Sequence, residues 1–286
     1  MKVTVLASGS KGNCTYIETS KTKILIDAGI SMLQIRSRLK TQNIELDKID
    51  AIFITHEHAD HVLYLASILC KTEAKLYIDK ISYDVINKKT NNSLIQYPVV
   101  FIKDDCKYNF DDMFVVPIHL SHDANASHGF LIKENDDDYN KTFAIITDTG
   151  MIPEKYFPIL SSINTLMIES NHDVDMLMTS KRPWILIQRI LSRKGHLSNE
   201  TCVTYLSKII SKSTKNVILV HLSEECNDPN LALNECYKAF GENPPFNLMV
   251  AEQYNALPTI EVEWWLKFYV LEKSKKIIYK WGLKNT

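Results

Sequence analysis

The chain has 286 residues, 45 % of them hydrophobic, and a formal net charge of −1. That size buries roughly three quarters of the unfolded surface, enough for one large domain or two small ones. No run reaches the ~18 apolar residues of a membrane span, and near-neutrality leaves any nucleic-acid binding to local patches.

Six cysteines lack paired spacing and none sits in a C-x-x-C, so reduced core thiols in a cytoplasmic protein are expected. The apolar stretch at Met1 to Ser10 is too brief for a signal peptide and reads as a strand, Lys2 to Ala7. The glycines of Ser8-Gly9-Ser10-Lys11-Gly12-Asn13 permit a tight turn, either a plain hairpin or a close backbone approach to an anion. Cys14 to Thr19 and Lys23 to Asp27 read as strands, and Ser31 to Lys40 as a helix.

The apolar run from Ile49 ends in His56-Glu57-His58-Ala59-Asp60-His61, and an amphipathic run, Val62 to Leu69, follows. Its polar residues therefore fall at the carboxyl end of a strand, where open α/β sheets keep their sites. No packing or turn rule asks for H-x-H-x-D-H. Three imidazoles and a carboxylate can serve two cations, with His56 and His58 pointing one way and Asp60 and His61 another.

Residues 74 to 118 read as short strands alternating with polar linkers. Phe114 to His119 is a strand leading to His122 and Asp123; His119 has the wrong parity to join His122 and reads as structural. The acidic run Glu134 to Asp138 reads as a solvated hairpin tip. Phe143 to Asp148 and Asn216 to His221 are further buried strands ending in polar ligand types. Four strand ends thus offer His, His, Asp and His.

There is also an internal echo. Lys23 to Ile30 matches Phe143 to Met151, and Ile49 to His58 matches Ile163 to His172. A duplicated strand–helix–strand unit implies two similar halves packed face to face, two sheets between outer helices. His172 takes the place of His58 in the echo, which gives it a role at the site edge or as a core histidine. The expected division is 1–245 as a catalytic domain and 246–286 as an extension packed on it or used for association. The apolar stretch from Glu261 and its lysine-rich end could form a hairpin, a dimer contact or a DNA-holding arm.

His56-x-His58-x-Asp60-His61, with the later His, Asp and His, resembles the metallo-β-lactamase superfamily over roughly residues 1 to 250. Ser8 to Asn13, Ser121-His-Asp123, Glu169 to Asp173, Gly195 to Glu200 and His221-Leu-Ser223 resemble its YycJ (WalJ) branch, 5′-to-3′ exonucleases of the bacterial cytoplasm. RNase Z and the PhnP-type cyclic phosphodiesterases are nearby branches. The resemblance implies an α/β fold, the four-layer αββα sandwich. It implies that His56, His58 and His122 hold a first metal, that Asp60, His61 and His221 hold a second, and that Asp148 bridges them. Asp27 is then the aspartate that orients a ligand histidine from behind. His196 is the histidine kept near the scissile phosphate, catalytic together with Asp60. A histidine at 58, where flavodiiron oxidoreductases have glutamate, counts against redox chemistry, and the lack of a cysteine ligand against a β-lactamase.

Substrate contacts are expected from Ser8, Ser10, Asn13, His172, Arg193 and Lys194. Arg182, Arg189, Arg193 and Lys194 form either a phosphate-facing patch or a solvated helix face. Gly195 is expected to give its loop freedom, and Ser198 to cap a helix from Asn199 to Ile210. Such a ligand set suits two divalent ions, Zn or Mn with Fe as a third candidate, about 3.5–4 Å apart, with a bridging water that deprotonates near neutral pH. The expected activity is phosphodiester hydrolysis, with DNA ahead of RNA or a small cyclic diester. A metal-binding regulatory protein of low turnover is the other class, and no membrane partner is expected.

Overall fold

The computed structural model describes residues 1–135 and 141–262. In the first sheet are β1 (Lys2–Ala7), β2 (Cys14–Glu18), β3 (Lys23–Ile26), β4 (Ala51–Phe53), β5 (Lys75–Ile78) and β6 (Val99–Phe101). The second holds β7 (Tyr108–Asn109), β8 (Met113–His119), β9 (His128–Glu134), β10 (Thr142–Ile146), β11 (Thr165–Glu169), β12 (Asn216–Val220) and β13 (Asn247–Val250). A last strand, β14 (Ile260–Glu261), returns to the first sheet beside β1. The strand orders are β14-β1-β2-β3-β4-β5-β6 and β13-β12-β11-β10-β9-β8-β7. β3 to β6 run parallel, as do β10 to β13, which aligns their carboxyl ends.

Period-2 burial explains the layering. Ile24 and Ile26 of β3 face the other sheet while Leu25 faces helices; Ile218 and Val220 of β12 face inward while Val217 and Leu219 face out. Both faces are buried, so the parallel strands read as continuous apolar runs. Phe53 stands at the centre of the inter-sheet core, stacked on Tyr77 at 4.4 Å and edge-on to Phe130 at 5.4 Å. Each such side chain contributes about 1.5–3 kcal/mol by leaving water.

The first sheet's outer face is covered by α1 (Met32–Thr41), α2 (Ala59–Val62), α3 (Leu65–Leu69) and α4 (Lys80–Lys89), through Ile35, Leu39, Leu65, Ile68 and Ile86. The second carries α5 (Phe157–Leu160), α6 (Val174–Thr179), α7 (Trp184–Ile190), α8 (Asn199–Ile209) and α9 (Pro229–Phe240) on its side of the molecule. Leu206, Ile209, Ala232 and Cys236 of α8 and α9 pack there on Leu166, Ile168 and Leu219. The result is the four-layer αββα sandwich. Among the described residues, no helix is long and apolar enough to cross a membrane.

One element departs from the sequence reading. α4 lies in the span read as strands and linkers. Asp79 caps it by accepting the Ile81 N–H at 2.7 Å, and β-branched Ile81, Val85 and Ile86 disguise its helical period. Ser198 accepts the Thr201 N–H at 3.1 Å, capping α8 as expected. From 246 onward, β13 and β14 belong to the two sheets. The expected features of residues 263–286 and of 136–138 lie outside the described residues.

Candidate metal centre

Six loops leaving strand ends converge at one edge of the sandwich. Three of the converging residues take left-handed backbone: Asp27 just after β3 (φ 65°), Asp148 after β10 (φ 53°) and His221 just after β12 (φ 57°). Non-glycine residues there cost about 1–3 kcal/mol each and persist only where the surroundings hold them. The His221 N–H donates to Ser8 Oγ at 2.8 Å, one such hold.

His56, His58 and His122 each present an atom within 4.8 Å of the others. Asp60, His61 and His221 form a second such group, and His56, His61 and Asp148 a third that overlaps both sides. Asp148 Oδ2 lies 3.2 Å from His61 Nε2, and its Oδ1 lies 3.3 Å from His221 Nε2 and 4.0 Å from His122 Nε2. One carboxylate thus stands between the groups. Asp60 Oδ2 is 3.3 Å from His61 Nε2 and 3.5 Å from His221 Nε2.

The far nitrogens of these imidazoles are tied down. His61 Nδ1 meets Asp27 Oδ2 at 2.7 Å, with Thr55 Oγ1 beside both and 3.1 Å from His56 Nδ1. His122 Nδ1 donates to the Gly195 carbonyl at 3.1 Å, and His221 Nδ1 meets Glu169 Oε1 at 3.1 Å. This pattern sets tautomer and ring orientation and leaves each Nε2 for a cation. His56 Nε2 is buried without a hydrogen-bond partner among the described residues. A buried nitrogen is seldom left so, and a divalent ion among His56, His58 and His122 would satisfy it. The donor set fits the ions that imidazole and carboxylate together prefer.

A Beta-lactamase superfamily domain matches residues 22–222. The chain is 36 % identical over 232 residues to the exodeoxyribonuclease WalJ of Streptococcus pneumoniae, covering 81 % of this chain and 85 % of that one. It is 33 % identical over 228 residues to the exodeoxyribonuclease YycJ of Bacillus anthracis, covering 80 % and 84 %. The chain belongs to the metallo-β-lactamase superfamily. Its fold matches the superfamily protein YhfI from Bacillus subtilis with a TM-score of 0.65 at 13 % identity, over 90 % of this chain and 98 % of that one. Membership of the superfamily and of its YycJ/WalJ branch makes the chain a metal-dependent hydrolase.

In this metallo-β-lactamase site burial and charge pull the imidazoles apart. Against burial, the carboxylates of Asp148, Asp27 and Asp60 hold His61 well above its ordinary value, and those of Asp148, Asp60 and Glu169 push His221 up to about 10. Burial drives the His56 imidazole well below its ordinary value and lowers that of His122, keeping both neutral. Burial alone would raise the carboxyls of Asp148 and Asp60, yet the neighbouring His61 and His221 hold both below the usual carboxylate range. Burial likewise opposes ionisation of Glu169, but His196 and His221 hold it at about 2.

His196 is in neither triad but joins Glu169, Asp148 and His221 in a fourth such group. Its Nδ1 meets Glu169 Oε1 at 2.7 Å, its ring stacks beside His221 at 5.4 Å, and it lines a cleft of about 140 Å³. The same cleft is lined by Ser10, Asn171, Arg182, Arg189 and Ser223. Arg193 and Lys194 are exposed and stand outside that lining. Ser8 is buried behind His221, and Asn13 Nδ2 reaches Asp60 Oδ2 and His61 Nε2 at 3.1 Å each. His172 is buried, with its imidazole pushed down to about 4 by burial, and it too is outside the cleft lining.

Gly195 serves a different end from the expected one. A Cβ there would stand 2.0 Å from the Ile190 carbonyl oxygen, so glycine gives room for close approach rather than freedom. Three carboxylates were given no role by the sequence reading, although Glu169 and Asp123 lie in its motifs. Glu169 ends β11 and holds His196, His221 and the Thr149 and Leu197 N–H groups. Glu57, inside the histidine motif, accepts from Ser82 of α4 at 2.7 Å and from the Asn125 N–H at 2.8 Å. Asp123 Oδ1 lies 3.1 Å from His122 Nε2, and Arg189 contacts its other oxygen. The signal for Glu169 was present: it ends a strand, as Asp148 nearly does.

Proposed function

We propose that this chain holds two divalent cations, Zn or Mn, and hydrolyses DNA from the 5′ end. His56, His58 and His122 hold the first ion, Asp60, His61 and His221 the second, and Asp148 both. The observation that carries this reading is that these seven residues form overlapping ligand groups, with His56 Nε2 buried and unpartnered among the described residues. When bound, two such ions activate a water for attack on phosphorus and neutralise the charge that grows on the phosphate oxygens.

The chain's own groups supply the rest. Asp27, Thr55 and Glu169 hold imidazoles in one orientation, so the site needs little rearrangement on binding. Glu169 keeps the proton on His196 Nδ1, and the Nε2 face then holds or passes a proton at the leaving oxygen, worth about 10²–10⁴-fold. Asn13 orients Asp60 toward the second ion. The exodeoxyribonuclease relatives support DNA as substrate, and the unpaired cysteines fit the reducing cytoplasm.

A small diester is the second reading, favoured by a cleft whose lining leaves out Arg193 and Lys194, the cations that would extend it along a polymer. The test is incubation of Mn- and Zn-loaded protein with duplex and single-stranded DNA, RNA and a chromogenic diester. Release of mononucleotides from the 5′ end of DNA is the expected result. Turnover of the small diester alone moves the second reading to first place.

A further inference from the structure

Asp123 follows His122 and has no place among the ligands proposed above, yet the two oxygens of its carboxylate have very different surroundings. Oδ2 meets both Nε and Nη2 of Arg189 on α7. Oδ1 is buried and accepts no hydrogen bond among the described residues. A carboxylate oxygen in that state is costly, because it has lost its water and found no donor in exchange.

That oxygen stands beside the first metal group. It lies 3.1 Å from His122 Nε2 and 3.8 Å from His58 Nε2. At 3.1 Å a ring N–H aimed at it would make a hydrogen bond. None forms, so Oδ1 sits to one side of the Nε2 axis. The His122 proton is in any case on the far nitrogen, where Nδ1 donates to the Gly195 carbonyl at 3.1 Å. Two bare acceptors therefore stand side by side, and they repel unless a cation lies between them. Two donors about 2.1 Å from one ion stand about 3.0–3.4 Å apart at octahedral to tetrahedral angles. Asp60 Oδ2, in the second group, has the same spacing, 3.3 Å from His61 Nε2 and 3.5 Å from His221 Nε2.

We propose that Asp123 Oδ1 is a further ligand of the first ion, beside His56, His58, His122 and the shared Asp148. Arg189 holds the other oxygen and so turns Oδ1 toward the imidazoles. The proposal rests on the two-ion reading above and adds a donor to one of its sites. The consequence is chemical. Three imidazoles and one carboxylate make a four-donor set of the kind zinc fills. A second carboxylate makes a five-donor set richer in oxygen, which suits manganese better than the four-donor set does.

The experiment reads metal binding rather than turnover. Chelator competition gives the affinity of each ion for the parent, Asp123→Asn and His56→Ala, with the Tm of the apo-proteins as the control for folding. His56→Ala should lose the first ion, which marks the step of the titration that belongs to it. Asp123→Asn keeps the shape but removes the anionic oxygen. Its affinity for the first ion should fall at least about tenfold, the lower end of what losing even an outer partner of a ligand costs. The fall should be larger for manganese than for zinc. With cobalt(II), the visible bands of the first ion, taken as parent minus His56→Ala, should be the weak ones of five or more donors and should strengthen in Asp123→Asn. Unchanged affinity and bands in Asp123→Asn overturn the assignment and leave the two-ion reading standing. An equal fall for both metals with unchanged bands also overturns it, since Asp123 then only props a ligand histidine. If Asp123→Asn does not fold, the parent decides: strong four-coordinate cobalt bands at the first ion overturn the assignment, and weak ones support it. If His56→Ala binds as much metal as the parent, the two-ion reading has itself failed, and the proposal falls with it.

Discussion

Glu169 Oε1 lies 2.7 Å from Nδ1 of His196 and 3.1 Å from Nδ1 of His221, so one buried carboxylate sets the orientation of two imidazoles with different tasks. Glu169→Gln keeps the shape but removes the charge that both N–H groups meet. Affinity for the second metal should fall about 10–100-fold, the range for lost outer partners of a ligand histidine. The fall in kcat should exceed the part restored by saturating metal, because His196 is disturbed as well. Metal titration followed by assay at saturation separates the two effects.

His196→Ala should leave both ions bound. Activity should drop by about 10²–10⁴-fold on substrates with poor leaving groups and much less on nitrophenyl esters, whose leaving oxygen needs no proton. Metal analysis of the variant comes first. A metal-depleted protein would make His196 a ligand and displace His221 from that role.

Asp148 stands between both metal groups and holds a left-handed φ of 53°. Asp148→Ala should abolish turnover, lower the metal content below two ions per chain and lower Tm, since ions that bind only the native state stabilise it by mass action. Asp148→Asn tolerates the same backbone conformation, so its loss of metal should occur with a smaller drop in the Tm of the apo-protein. Two ions still bound in the alanine variant would refute the bridging assignment.

Gly29 supports the site by its lack of a side chain. A Cβ there would stand 1.8 Å from the Asp60 carbonyl oxygen and 2.4 Å from the Asn13 nitrogen. Gly29→Ala should cost about 1–3 kcal/mol by overpacking and should also weaken the second metal site, because Asp60 and Asn13 are the groups pushed. Urea denaturation with and without metal measures both losses.

Salt separates the two candidate substrates. Cleavage of duplex DNA should fall steeply with added salt, because binding a polyanion releases counterions. Hydrolysis of a small diester should change little. Equal dependence for both would argue that the duplex is not held beyond the bond that is cut.

What the sequence by itself determined is whatever depends on neighbours in the chain. The period-2 apolar runs, the polar residues closing them and the H-x-H-x-D-H spacing make strands with ligand types at their ends, and the echo of Asp27 in Asp148 marks two halves. α4 escaped for a local reason too, its β-branched residues imitating a strand. The tertiary structure alone decided which atoms meet across those ends. Glu169 finds His196 27 positions away and His221 52 away, and Glu57 finds Asn125 68 away. Nothing local in the chain records these pairings, because a buried carboxylate takes its partner from whatever the packed sheets bring within hydrogen-bond reach. The room that Gly29 and Gly195 supply is likewise set by backbone from other segments. Arg182 shows the same dependence: residues 182–194 supplied four cations as candidates, and the packing of α7 against the strand ends placed two in the cleft and left two in water.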